Sequence, residues 1–152
     1  MSLIIATGSN LNDSILSLQL AKKILSQNYE LIAESRIYKS AAVDYEFQPD
    51  FFNQVLEFRI PNLLPDQVME NLLDFEKSMG RVRDISRGPR TIDMDIIFWD
   101  LQTHHTKLVH IPHPRWMERS FVIRPLQDLP FFKTIEKCFT IPRSFKTDAF
   151  PL

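Results

Sequence analysis

The segment from Gly88 to Phe98, GPRTIDMDIIF, constrains the fold more than any other stretch of the chain. Read with a period of two, it places Ile92, Met94, Ile96 and Phe98 on one face. Thr91, Asp93, Asp95 and Ile97 fall on the other. The apolar face predicts a strand over Asp93–Trp99 that is packed against a core. The opposite face carries two carboxylates. Two unit charges about 5 Å apart, at an effective dielectric of about 20, repel by roughly 3 kcal/mol. Burying four large apolar side chains contributes roughly 6–12 kcal/mol gross. Such a strand forms with both acids charged and holds them ready for a cation.

The same reading along the chain gives β-α-β-β-α-β. Residues 3–7 are a short buried strand, and Gly8-Ser9-Asn10 follows as a turn. Anion binding at the helix start is the alternative role for that turn, capping the simpler one. A helix begins at Asp13 or Ser14, with Asn12 or Asp13 as N-cap, and runs to Ser26. Residues 30–38 are a strand, 39–49 a loop, and Phe51–Ile60 a strand that Pro61 ends. Pro65–Met79 is a helix with Pro65 in its first turn and Gly80 in the left-handed position after its end. Residues 81–90 are a basic loop without periodicity. Beyond Trp99, residues 107–111 read as a short strand, and Pro114 and Ser120–Leu126 as helical turns. The last twenty residues are weakly patterned. This order predicts an α+β fold, a ferredoxin-like plait with a mainly antiparallel sheet and flanking helices. A chain of 152 residues fits one domain, 1–152.

Glycine is scarce: Gly8, Gly80 and Gly88 are the only three. No GxxxxGK[ST] or GxGxxG loop can be written, so a nucleotide would have to be held by charge and metal instead. A formal net charge of −1 argues against bulk electrostatic binding to nucleic acid or anionic membrane. Cys138 is the single cysteine, is read as a small buried hydrophobe, and forms no intrachain disulfide. The apolar N-terminus is short and lacks a basic flank, and no run approaches the ~20 apolar residues of a membrane span. The cytoplasm is the expected compartment, and a monomer the expected state.

Asp93 and Asp95 leave one face of a strand with Cα atoms about 6.6 Å apart. That arrangement suits two oxygen-ligated divalent ions clamping a phosphoryl transfer. A solvated strand face with two acids is the plainer alternative. Arg81, Arg83, Arg87 and Arg90 fall within one ten-residue stretch just before the acids. They either pair with the acids or grip phosphate oxygens from the opposite side. Phe51 and Asn53 share a strand face, where a ring can stack on a flat heterocycle and an amide can meet its edge. The plainer reading is core packing plus one polar strand residue. His110 and His113 make a weak zinc signal. His113 beside Arg115 and Arg119 fits phosphate or nucleotide contact better. His104-His105 reads as an exposed loop. Glu76 sits on the last turn of the second helix, and nothing local separates a helix-pairing role from a functional one.

Taken together these segments resemble the 6-hydroxymethyl-7,8-dihydropterin pyrophosphokinase family of folate biosynthesis. The resemblance is carried by GSNL at 8–11, QPDFFN at 48–53, E-x-x-x-G-R-x-R at 76–83, GPRTIDMDI at 88–96 and IPHPRWMERSFVIRPL at 111–126. It implies pyrophosphate transfer from ATP to the hydroxymethyl group of a reduced pterin, with release of AMP. It implies that Asp93 and Asp95 hold two magnesium ions, and that Arg81 and Arg90 assist the transfer from a mobile loop. Glu76, His113 and Arg119 match nucleotide-contacting positions, with Arg90 also reaching the nucleotide. Phe51 and Phe121 match the aromatics that sandwich the pterin, and Asn53 its hydrogen-bonding residue. Ser40, Ala41 and Val43 fall where a loop lines the pterin pocket. Either Asp95 or a metal-bound hydroxyl removes the hydroxyl proton. The chain departs from the family's Tyr-x-Thr-x-Pro-x-Gly pattern, carrying Tyr38, Ser40, Ala42 and Asp44 instead. It also has Arg87 where many members place an aromatic.

Two other classes fit part of this pattern. One is an RNA-binding ferredoxin-like module, which lacks its K/R-G-F/Y-G/A-F-V-x-F/Y signature here. The other is a different metal-dependent nucleotidyl or phosphodiester enzyme on the same sheet.

Overall fold

The computed structural model describes residues 1–11, 13–41, 49–80 and 92–152. Strands β1 (Ser2–Ser9) and β4 (Phe51–Arg59) pair antiparallel along their whole lengths, from Ser2 opposite Arg59 to Ser9 opposite Phe52. β5 (Asp93–Trp99) joins the other edge of β1, also antiparallel. β2 (Leu31–Glu34) and β3 (Tyr38–Ser40) both pair with β4, and β8 (Ala149–Pro151) pairs with β3. The main path across the sheet is β5-β1-β4-β3-β8, with β2 beside β4. The α+β class and the antiparallel sheet agree with the sequence expectation.

Both sheet faces are covered. Helices α1 (Ser14–Asn28) and α2 (Pro65–Ser78) bury Leu18, Ala21, Leu25, Val68 and Leu72 against Leu3, Ile5, Leu56 and Phe58. Each fully buried Val, Leu, Ile or Phe side chain among them contributes about 1.5–3 kcal/mol. The opposite face packs Ile4, Val55, Ile97 and Phe98 against α3 (Ser120–Leu126), α4 (Phe132–Cys138) and a 3-10 turn at Trp116–Glu118. Covering on both sides explains why β1 is buried at all but one of its eight positions instead of alternating.

α2 follows its sequence signals. Pro65 occupies the first turn, Leu64 N–H donates to Gln67 Oε1 at 2.8 Å, and Gly80 adopts φ 85° just beyond the end. Other expectations need correction. β1 runs through Gly8 and Ser9, which are strand residues and not a turn. The expected strand over 30–38 divides into β2 and β3, because residues 35–37 leave the ladder. The weakly patterned tail contains α4 and β8. His104-His105 forms β6, paired with β7 (His110–Ile111), and His104 Nε2 lies 2.9 Å from Asp66 Oδ1 at the start of α2. Cys138 is exposed, not buried.

The most instructive correction concerns β5. Ile5 opposes Ile96 while Ile4 opposes Phe98, so Ile97 is an extra residue bulged out of the ladder. The bulge changes the phase. Ile92, Met94 and Ile96 face α1 and α2 as expected, but Phe98 turns to the other cluster and Trp99 takes the first. Phe98 then packs edge-on against Trp116 and Phe131, with ring centroids 5.0 and 5.9 Å away.

Candidate active site

Directly opposed residues of an antiparallel ladder share a face. Asp93 opposes Gly8, and Gly8 opposes Asn53, which opposes Tyr38. One row across the sheet therefore reads Asp93–Gly8–Asn53–Tyr38. The next row inward is Asp95–Ala6–Val55. Phe51, opposite Ser40, lies one step outward from Asn53 on the same face. This is the face covered by α3, and Phe121 of α3 packs into its cluster. Strands are about 4.8 Å apart, so the Asp93 and Asn53 backbones stand about 10 Å apart across Gly8.

Asp93 and Asp95 are half-buried. His113 and Arg119 frame them electrostatically. Arg119 is partly buried, which lowers its proton affinity, while Asp95 and then Asp93 oppose that shift. Its guanidinium carbon lies 5.5 Å from the Phe121 ring centroid, a cation–π distance. The backbone N–H of His113 donates to Ile97 O at 2.9 Å, fixing the segment after the cis Ile111–Pro112 bond to the acid strand. Arg115 N–H donates to His113 Nδ1 at 3.1 Å. With Nδ1 accepting, a neutral His113 carries its proton on Nε2 and is a donor there.

Burial, then Arg119 and Arg115, push the His113 imidazole down to about 4, and Asp93 pulls weakly the other way. The native state therefore binds this proton near pH 4, and an unfolded chain near 6.5. Between those values the unfolded state holds more protons, so stability must fall as pH falls. Chemical denaturation of the wild type should show this loss between pH 6.5 and 4, and His113→Gln should have a flatter profile. Identical profiles would mean that His113 titrates normally.

The opposite end of the row carries a buried polar side chain. Asn53 is 9% exposed, and its Oδ1 is buried with no hydrogen-bond partner among the described residues. A buried acceptor left unpaired costs about 1–3 kcal/mol, which a bound donor would recover. Its amide sits over Gly8, where a Cβ would lie 2.5 Å from Asn53 Nδ2. Ser40 is buried and Ala41 exposed. Tyr38 is buried; its hydroxyl donates to Asp128 at 3.0 Å and accepts from Arg36 Nη2 at 2.9 Å. This network ties β3 to the end of α3.

Sequence reasoning missed Gly8 and Tyr38 as parts of this face. The available signal for Gly8 was a glycine at a strand end, which marks close approach of a neighbour. Tyr38 had no comparable signal. Val43, Arg81 and Arg90 lie outside the described residues, as do Arg83, Arg87 and Thr91.

The donor set is all oxygen: two carboxylates on one strand face. Among the described residues no group of three or more His, Cys, Asp or Glu could hold a metal. Magnesium typically uses one or two carboxylates and takes its remaining ligands from phosphate and water. The pair fits such an ion and would not make a closed structural site.

The family model for 7,8-dihydro-6-hydroxymethylpterin-pyrophosphokinase (HPPK) matches residues 4–130. The chain belongs to this family. It is a pyrophosphokinase of folate biosynthesis. A 2-amino-4-hydroxy-6-hydroxymethyldihydropteridine pyrophosphokinase of Bacillus subtilis is 35% identical over 127 residues, covering 82% of this chain and 75% of that protein. The Haemophilus influenzae protein of the same name is 36% identical, covering 82% of this chain and 79% of its own. A folic acid synthesis protein fol1 of Pneumocystis carinii is 37% identical over 126 residues. That match covers 82% of this chain but 17% of the longer fungal protein. The matched region of this family member contains the whole row from Asp93 to Tyr38, together with His113, Arg119 and Phe121. No helix among the described residues is long and apolar enough to cross a membrane.

Proposed function

We propose that this chain transfers pyrophosphate from ATP to the hydroxymethyl group of 6-hydroxymethyl-7,8-dihydropterin, releasing AMP. The observation that carries this reading is the row itself. It sets Asp93, with Asp95 one row inward, and the buried Asn53 amide on one sheet face, their backbones about 10 Å apart. That spacing suits a triphosphate on β5 meeting a heterocycle on β4.

Asp93 and Asp95 would hold two magnesium ions, which supply charge neutralisation and orientation for the triphosphate when bound. Arg119 and the Nε2–H of His113 contact the nucleotide from the far wall. Glu76 reaches the nucleotide as well, while its Oε2 accepts the Met94 N–H of β5. Phe51 and Phe121 sandwich the pterin, Asn53 pairs with its edge, and Ser40, Ala41 and Val43 line its pocket. Arg81 and Arg90 reach the phosphates from the segment after Gly80. The pterin hydroxyl oxygen attacks the β-phosphorus. The bond from that phosphorus to the oxygen bridging the α-phosphate breaks, and its electrons leave with AMP. The hydroxyl proton passes to Asp95 or to solvent. Holding both substrates on one rigid sheet face supplies the orientation that the reaction needs. The enzyme is read as a cytoplasmic monomer.

The test is AMP formation from ATP and magnesium, with and without the pterin. AMP should appear only when both the pterin and magnesium are present. Pterin-independent AMP release would favour another nucleotidyl or phosphodiester activity.

The Asn53 reading has its own check. Asn53→Ala removes an unpaired buried acceptor, so the melting temperature should hold or rise. Pterin affinity should fall about 5- to 100-fold, the equivalent of about 1–3 kcal/mol. Unchanged affinity by titration would remove Asn53 from the pterin site.

A further inference from the structure

Glu76 is 1% exposed on the last full turn of α2. Its Oε2 accepts a hydrogen bond from the Met94 backbone N–H at 2.7 Å. Met94 is the residue between Asp93 and Asp95. Along an antiparallel strand successive N–H groups point to opposite edges. The Met94 N–H that meets Glu76 therefore points away from β1, and those of Asp93 and Asp95 point toward it. β5 ends the strand order, and among the described residues it pairs with β1 alone. The carboxylate thus stands where a further strand would supply a carbonyl. A charged group at this depth is costly unless it is hydrogen-bonded, so its placement needs a return.

We infer that Glu76 is a positioning residue that locks the backbone between the two acids and sets their spacing before any metal binds. This goes beyond the nucleotide contact implied by resemblance, and it rests on the reading of Asp93 and Asp95 as metal ligands. Outer partners of metal ligands typically govern affinity in this way.

Two variants separate the acceptor from the charge. Glu76→Gln keeps an oxygen acceptor of the same shape. Glu76→Met keeps the volume and removes the acceptor. The first readout is amide hydrogen exchange at Met94 in metal-free protein. The second is Mn²⁺ binding, by electron paramagnetic resonance, in the presence of a non-hydrolysable ATP analogue. Glu76→Gln should retain Met94 protection and Mn²⁺ affinity within about threefold. Glu76→Met should lose the protection and weaken Mn²⁺ binding about 10- to 100-fold. Unchanged Met94 protection in Glu76→Met would overturn the inference. So would a loss of metal-free analogue affinity with Mn²⁺ affinity intact, since Glu76 would then serve the nucleotide alone. Should Glu76→Met fail to fold, a drop of more than tenfold in Mn²⁺ affinity in Glu76→Gln would overturn it equally. Asp93→Asn distinguishes the two levels: normal Mn²⁺ affinity there defeats the metal reading, whatever Glu76 does.

Discussion

Asp95→Ala is expected to abolish turnover in a protein that still folds. The carboxylate contributes nothing to the helix-facing core, which rests on Ile92, Met94 and Ile96 from the same strand. Its removal also relieves repulsion from Asp93. Loss of its attraction to Arg119 works the other way, so the melting temperature without metal should change by only a few degrees. The rate should fall at least about 10³-fold, because a metal clamp supplies several kcal/mol and each 1.36 kcal/mol is tenfold. Asp93→Ala should behave alike. Steady-state AMP release, read beside thermal melts, checks both. Near-full turnover in either variant would refute the metal assignment. A large melting drop would instead make the acid a structural partner of Arg119.

Gly8→Ala is the second large expected effect, and it acts without touching any charged group. Gly8 has no unusual backbone demand; what it provides is space. A methyl there would approach Asn53 Nδ2 to 2.5 Å, and the amide would have to rotate or the β1–β4 ladder to part. Overpacking of this kind typically costs about 1–3 kcal/mol of stability. Displacing the Asn53 amide should weaken pterin binding about 5- to 100-fold, by the hydrogen bond lost. Nucleotide binding on β5 should change much less, since Asp93 lies on the other side of Gly8. Separate titrations with pterin and with a magnesium–nucleotide analogue measure the two effects. Equal weakening of both would indicate general collapse of the face and not a clash at Asn53.

Much of this arrangement was legible in the chain. Pro65 and Gly80 bracketed α2 correctly, since each residue type satisfies a local backbone requirement. The alternation around Asp93 and Asp95 identified the strand and its acidic face. The pairing of Phe51 with Asn53 on one face followed from period two and proved correct. What stayed hidden depended on register or on distant partners. No pattern within GPRTIDMDIIF reveals that Ile97 bulges, because that depends on how Ile4 and Ile5 meet it. Glu76 and Met94 are eighteen residues apart, and their bond appears only once α2 lies along β5. β8 contributes three residues, too few for periodicity to mark, and its strand character comes from pairing with β3. Cys138 was misplaced because residue type sets only an average burial, and this one ends a helix at the surface.

The bulge at Ile97 has a further consequence for what edits the strand would tolerate. A strand has a reading frame of two, and β5 carries one residue more than its partner requires. Deleting Ile97 would bring Ile96 and Phe98 opposite Ile5 and Ile4 in unbroken register, with acids, Phe98 and Trp99 all keeping their faces. The surplus residue is thus not needed to keep the core in phase, although its side chain helps fill it. Its distinct contribution is a carbonyl, the one that receives the His113 N–H. A chain one residue shorter here could keep its sheet and lose the tether that brings His113 and Arg119 to the acids. Length at this point, more than residue identity, joins the two walls of the site.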